Sequence, residues 1–180
     1  FKLVLIWSTW GKVETVDHIR GLKYVQEFRD NMKIKEKPKI TKVKCKPYTK
    51  ITWITDFKRF DIDGYSDDMI KLMIRRVYDI AGTTNKSLNV FFNKKKLNIK
   101  SFDKYIDLYL EGEKKVYEKI HDRWEIGVSV SKNDKFENYS FVNGIYTSKG
   151  GKHVDLISKE LTSGIANYIN KKHKKEIPEH

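Results

Sequence analysis

Apolar and polar positions alternate with a period of two in some stretches and recur at helical spacing in others, so the chain mixes strands and helices. Val13 and Thr15 alternate with Lys12, Glu14 and Val16; after turn-forming residues at Asp17–Gly21, Leu22–Phe28 alternates again, which predicts a hairpin with a rather long loop. Asn31–Lys39 is polar, contains Pro38 and reads as a connection. Tyr48–Thr55 (YTKITWIT) has the β-branched and aromatic composition of a strand. A turn at Asp56–Gly64 leads to Ser66, placed to cap a helix with Asp67 and Asp68 in its first turn. Ile70, Met73, Val77 and Ala81 mark that helix, and Gly82 reads as its stop. Leu88–Phe92 and Leu97–Ile99 flank a hairpin turn at Asn93–Lys96. Ser101 caps a second helix with Phe102, Tyr105, Ile106, Tyr109 and Leu110 on one face; Asp103, Asp107 and Glu111 lie elsewhere on it, and Gly112 ends it. Glu111–Asp122 is charged and reads as a segment of variable length.

In Arg123–Val130, Trp124, Ile126, Val128 and Val130 face one way and Glu125, Gly127 and Ser129 the other. With a polar turn at Asn133–Asn138, this strand is predicted to pair antiparallel with Tyr139–Tyr146. Val154, Ile157, Leu161, Ile165 and Tyr168 then mark a long amphipathic helix ending in INKKHKK (Ile169–Lys175). The run FKLVLIW (Phe1–Trp7) reads locally as a buried strand. Between Tyr139 and Asp155 the order is strand, Gly150–Gly151, helix start. Unpaired N–H groups at such a place either hold an anion or simply close a tight corner, and both readings stand.

Of the 180 residues, 39% are apolar, with four Trp, nine Phe and ten Tyr, enough to build a core. Lys and Arg total 37 against 24 acids, a net charge of +13 that favours a polyanionic partner, nucleic acid or an acidic membrane surface. Lysine bias of the genome is the plainer source of the same charge. The one cysteine, Cys45, excludes an internal disulfide and any Cys-based zinc site. No apolar run of about 18 residues is present to span a membrane, and no signal peptide is visible, so the expectation is a soluble intracellular protein without a membrane partner.

No GxxxxGK[ST] loop and no HExxH pair occurs. His153 and His173 are too isolated for a metal site and read as surface or capping residues. The carboxylates single out no acid–base pair, and nothing fixes Ser148, His153 and Asp155 into a triad. The expectation is no catalytic residue and no metal ligand within the chain.

Three motifs, in order, carry a resemblance. SFVNGIYTSKGGKHVD (Ser140–Asp155) closely resembles the transducer signature of eukaryotic-type, type IIA, DNA topoisomerase II. RRVYDIAGT (Arg75–Thr83) is a second match, within the helix after Ser66; on the residues alone its two arginines read as surface or ion-paired. FKLVLIWSTWGKVET, from Phe1, is similar to the segment that follows the family's glycine-rich ATP loop, which begins as a helix. SFDKYIDLYL resembles the junction between the ATPase and transducer domains. Phe1, Leu5, Trp7, Gly11 and Gly144 depart from the residue types usual there.

The resemblance implies an α+β fragment of a longer protein. Residues 1–100 would be the C-terminal part of a GHKL-type ATPase domain, and 101–180 the first strands and long helix of a ribosomal-protein-like βαβ transducer domain. Lys2 would match the lysine that closes the ATP phosphate loop, with the preceding glycines missing. A lysine cluster that contacts transported DNA falls on Asn170, Lys171 and Lys172, and Lys174 and Lys175 extend its charge. The family's enzyme dimerises on ATP, uses Mg2+, and passes one duplex through a break in another, so ATP, Mg2+, double-stranded DNA and a homodimer are the implied cofactors and partners. The implied location is the nucleus of a cell, or a host cell or virion for a virus. The isolated chain is expected to be inactive. Two rivals remain: another GHKL-family ATPase, and a non-catalytic nucleic-acid-binding relic.

Overall fold

A computed structural model describes residues 1–110 and 112–173. The chain packs as two units, Phe1–Asp67 and Asp68–His180. Helices and antiparallel sheets make up both, as the expected α+β class requires.

Unit 1 opens with a short helix, α1 (Lys2–Ile6). The helix implied by the resemblance stands where local pattern gave a strand. Five residues cannot hold a helix by propensity alone. Packing holds it: Leu5 is 1% exposed and lies against Gly11, where an added Cβ would meet Leu5 Cδ2 at 2.2 Å. The other face stays open, with Phe1, Leu3 and Trp7 exposed.

The sheet of unit 1 is antiparallel, with β1 (Ser8–Asp17) in its middle. β1 pairs with β2 (Leu22–Arg29) in the register Val13↔Gln26, and with β5 (Thr49–Thr55) in the register Val13↔Ile51. The loop between β1 and β2 is closed by Asp17 Oδ1, which accepts the N–H groups of Ile19 and Arg20 at 3.0 and 3.1 Å. The supposed connection at Asn31–Lys39 instead holds β3 (Ile34–Lys35) and the start of β4 (Lys39–Lys42), both lying along β2. Polar composition misled there because this is the sheet's outer edge, where lysines and Pro38 are compatible with pairing on one side only. A 3₁₀ turn at Phe57–Phe60 follows β5.

Unit 2 begins with α2 (Asp67–Thr83). Gly82, read as a stop signal, lies inside this helix and is buried. It is retained by close packing: an added Cβ would meet Tyr105 Cβ and Cγ at 2.5 Å. β6 (Phe91–Phe92) and β7 (Lys95–Lys96) form a hairpin tighter than expected: its turn is only Asn93 and Lys94, at positive φ, and the second strand is Lys95–Lys96 rather than Leu97–Ile99. In α3 (Phe102–Leu110), Ser101 caps as expected, its Oγ accepting the Lys104 N–H at 3.3 Å. The expected helix position of Glu111 lies outside the described residues.

Strand pairing in unit 2 departs from expectation. The charged stretch before Arg123, read as a segment of variable length, is ordered as a strand. It forms β8 (Lys115–His121), paired with β9 (Trp124–Ser129) in the register Tyr117↔Gly127. The pairing predicted between Arg123–Val130 and Tyr139–Tyr146 is absent; β9 pairs with β8. β10 (Phe141–Val142) and β11 (Ile145–Tyr146) pair with each other instead. Asn143 and Gly144, at φ 50° and 73°, form the tight turn between them, and Asn-Gly is a strong hairpin signal. The face of β9 toward α3 is the polar one: Gly127 meets Ile106, and Lys115 pairs with Asp103 at 2.9 Å and with Asp107. Val116 and Val130 lie exposed. α4 (Lys152–His173) follows the glycine pair, and no described helix is long and apolar enough to cross a membrane.

Candidate functional site

The motifs RRVYDIAGT and SFVNGIYTSKGGKHVD meet in unit 2. α2 carries RRVYDIAGT, and its Asp79 is 3% exposed. Burial of a carboxylate requires partners. Tyr105 of α3 donates its hydroxyl to Asp79 Oδ1 at 2.6 Å, and Tyr109 completes the chain through its own hydroxyl at 2.7 Å from that of Tyr105. With the Tyr105 proton committed to Asp79, the Tyr109 hydroxyl donates to Tyr105. Burial first, then the bond to Asp79, raises the Tyr105 pKa far above its ordinary value, so this phenol stays protonated. Arg75 Nε and Arg76 Nη1 lie 3.9 and 3.8 Å from the same carboxylate. Arg76 is the ion-paired surface residue expected.

Arg75 is something more. Its guanidinium carbon lies 4.2 Å from the centroid of the Tyr146 ring and 5.8 Å from that of Tyr139. Its Nε and Nη2 are buried and find no hydrogen-bond acceptor among the described residues. Aromatic faces, which attract a weakly hydrated guanidinium, take their place. Tyr139 in turn stacks on Tyr109 at 3.9 Å between centroids. Tyr139 and Tyr146 flank the β10–β11 hairpin, so one arginine ties α2 to the strand that leads into α4. At the far end of the motif Thr83 Oγ1 lies where a Cβ on Gly144 would contact it at 3.6 Å.

The strand-to-helix corner is closed by its own groups. The Thr147 N–H donates to Ser140 O at 2.8 Å, and the Gly150 N–H to Thr147 O at 2.9 Å. The Thr147 hydroxyl bridges Ser140 Oγ at 2.6 Å and His153 Nε2 at 3.2 Å. Gly150 and Gly151 sit at φ 72° and 146°, a backbone that side chains rarely adopt, so both positions require glycine.

The residues singled out from the sequence fall apart from this network. Lys2 opens α1 with an exposed side chain. One exposed ammonium does not make a triphosphate site, and no three metal-ligating side chains gather among the described residues. Lys171 and Lys172 occupy the last turn of α4 and are exposed, with Lys172 Nζ 3.5 Å from the Tyr168 hydroxyl. Lys174 and Lys175 lie outside the described residues. The Arg75 and Asp79 network was missed in the sequence, although Arg75 and Asp79 at i and i+4, and Tyr105 and Tyr109 at the same spacing, were its readable trace.

Comparison with known proteins fits this geometry. The family described as DNA gyrase B matches residues 83–179. DNA topoisomerase 2 of Arabidopsis thaliana is 43% identical over 96% of this chain, which spans 12% of that protein's length. The solved ATPase region of Saccharomyces cerevisiae topoisomerase II superposes with a TM-score of 0.85 at 41% identity, covering 94% of this chain and 45% of that one. The solved ATPase and transducer domains of DNA topoisomerase II from Balamuthia mandrillaris also give 0.85, at 39% identity, over 96% of this chain and 45% of that one. With the family match, the sequence identity and the fold all in agreement, this chain belongs to the DNA gyrase B and topoisomerase II family.

Proposed function

We propose that this chain is the middle portion of an ATP-dependent type IIA DNA topoisomerase, which passes one duplex through a transient break in another. Residues 1–100 would be the back part of the ATPase domain and 101–180 the front part of the transducer. The supporting observation is that nearly the whole chain, in order and in fold, follows the solved ATPase region of yeast topoisomerase II. Its role in that enzyme is mechanical relay. Arg75 ties α2 to the β10–β11 hairpin, and the Gly150–Gly151 corner carries the hairpin rigidly into α4. A displacement of α2 driven by nucleotide would therefore reach the far end of α4.

In the whole enzyme Lys2 would contact the nucleotide's phosphates, Mg2+ would be held by residues elsewhere, and the ATPase domains would dimerise. The basic end of α4, with Lys171, Lys172, Lys174 and Lys175, would contact duplex DNA through phosphates, which carry no sequence information. Alone, residues 1–180 would show no ATP turnover, because no phosphate loop is present in the sequence.

The test is a chimera of yeast topoisomerase II carrying this chain in place of the matching segment. Decatenation that needs ATP is the expected result. A chimera that folds and hydrolyses ATP, yet passes no duplex, would contradict the assignment.

A further inference from the structure

The outer edge of the unit 1 sheet is strongly basic. Residues 33–50 hold eight lysines against one acid, Glu36, and so carry +7 of the chain's +13. All eight lysines are exposed. From Ile34 to Val43 the chain runs extended beside β2, through β3, the Glu36 N–H to Glu27 O bond, β4 and the Val43 N–H to Gly21 O bond. Ten extended residues span about 30 Å, close to the ~34 Å turn of a B-form duplex.

Charge pairing separates this edge from β1 and β2. Lys12 and Lys23 are neutralised by Glu14 at 3.3 and 3.0 Å, and Lys33 by Asp30 at 3.2 Å. Glu36 is itself taken by Arg29 at 3.5 Å. Among the described residues, Lys35, Lys37, Lys39, Lys42, Lys44 and Lys46 have no acidic partner within 4 Å. Lysine on an edge strand also blocks unwanted sheet pairing. That role accounts for the lysines of β3 and β4, but not for Lys44 and Lys46, which lie past the last ladder bond. Their uncompensated field suits a row of phosphates.

We infer that the β3–β4 edge is a second binding surface for the backbone of double-stranded DNA. It rests on the reading that duplex DNA is this chain's partner, but not on the contact at the end of α4.

The experiment measures binding of residues 1–180 to a short labelled duplex of arbitrary sequence over a range of salt. Replacing Lys37, Lys42, Lys44 and Lys46 by Gln should flatten the slope of log K against log salt by up to about 3.5 units, roughly 0.9 for each phosphate no longer neutralised. Replacing them by Arg should keep the slope. Gln at the scattered Lys58, Lys86, Lys95 and Lys159 removes the same charge and should change the slope by less than about one unit. Gln at Lys171, Lys172, Lys174 and Lys175 is read in parallel. If the α4 variant flattens the slope and the edge variant does not, the edge inference fails while the α4 contact stands. Equal flattening by the edge and scattered sets overturns it in favour of net charge. If the edge variant loses binding to phosphatidylserine vesicles while its DNA slope is unchanged, the surface is for an acidic bilayer and the inference also fails. Circular dichroism shows that each variant is folded.

Discussion

Among the described residues each unit buries one acid, and the two are handled by opposite means. In unit 1, Glu14 lies in the middle of β1, 8% exposed, and two lysines from the sheet surface close on it. Lys12 and Lys23 keep about a quarter of their side chains in water, so the pair is exchangeable and screened. In unit 2, Asp79 is held by the hydroxyl of Tyr105, itself 1% exposed, and by two arginines, one of them boxed by tyrosine rings. Taking one member away there strands the others in a site with little water. The difference separates a surface charge pair that tolerates change from a buried polar network that fixes one arrangement of α2, α3 and the β10–β11 hairpin. The proposed relay would need the second kind.

The sharpest way to break the contrast is Asp79→Ala. It leaves the Tyr105 hydroxyl and Arg75 without their acid, and the expected loss is about 3 kcal/mol or more. Amide hydrogen exchange reads the units separately. Protection should fall in α2 and α3 and stay unchanged in β1 and β2; equal loss in both would remove the distinction.

Gly82→Ala comes next. Its Cβ would meet the root of the Tyr105 side chain, which has nowhere to move, and overpacking of this kind costs about 1–3 kcal/mol. The better helix propensity of Ala returns at most ~1 kcal/mol, so the net sign is destabilising. Gly11→Ala in unit 1 is the matched control. There the clash is with the terminal methyl of Leu5 on a five-residue helix that can shift, so urea midpoints should fall less than for Gly82→Ala.

Glu14→Gln should have the smallest effect near neutral pH, a loss of under about 1 kcal/mol. Its signature is in the pH profile. Lys23 first, then Lys12, hold the Glu14 carboxyl below its ordinary value of 4.5. A folded pKa below the unfolded one gives stability that is complete above about 4.5 and lost as pH falls through the depressed value. Lys23 has its pKa raised from 10.5 chiefly by the same bond, so its share is complete below 10.5 and lost as pH rises through the elevated value. Thermal melts of the variant across pH should lose part of both limbs. Unchanged limbs would mean that the pair contributes nothing.

Most elements were legible in the sequence because alternation and helical spacing mark them, as in β5 and α3. What was lost follows from three causes. Charge and proline hid strands at edges, in β3, β4 and β8, where one side of the ladder faces water. The turn at Asn133–Asn138 was given weight that belonged to Asn143–Gly144, and this displaced a strand pairing. Gly82 carried a stop signal locally, while the contact that explains it lies 23 residues away at Tyr105. Of the binding residues that the resemblance implied, Lys2, Lys171 and Lys172 are exposed lysines, and Lys174 and Lys175 lie outside the described residues. The arginine at the centre of the relay was not legible, since only the fold shows which rings receive it.

The relay is tested most directly by Arg75→Lys in the yeast chimera. Lysine keeps the charge but lacks the flat guanidinium that the two tyrosine faces hold. The quantity to measure is duplex passages completed per ATP hydrolysed. The account predicts ATP hydrolysis close to that of the unaltered chimera and a fall of at least about fivefold in passages per ATP, the low end of a coupling free energy of 1–3 kcal/mol. An unchanged ratio of passages to ATP, in a variant with normal exchange protection in α2 and α4, would contradict it.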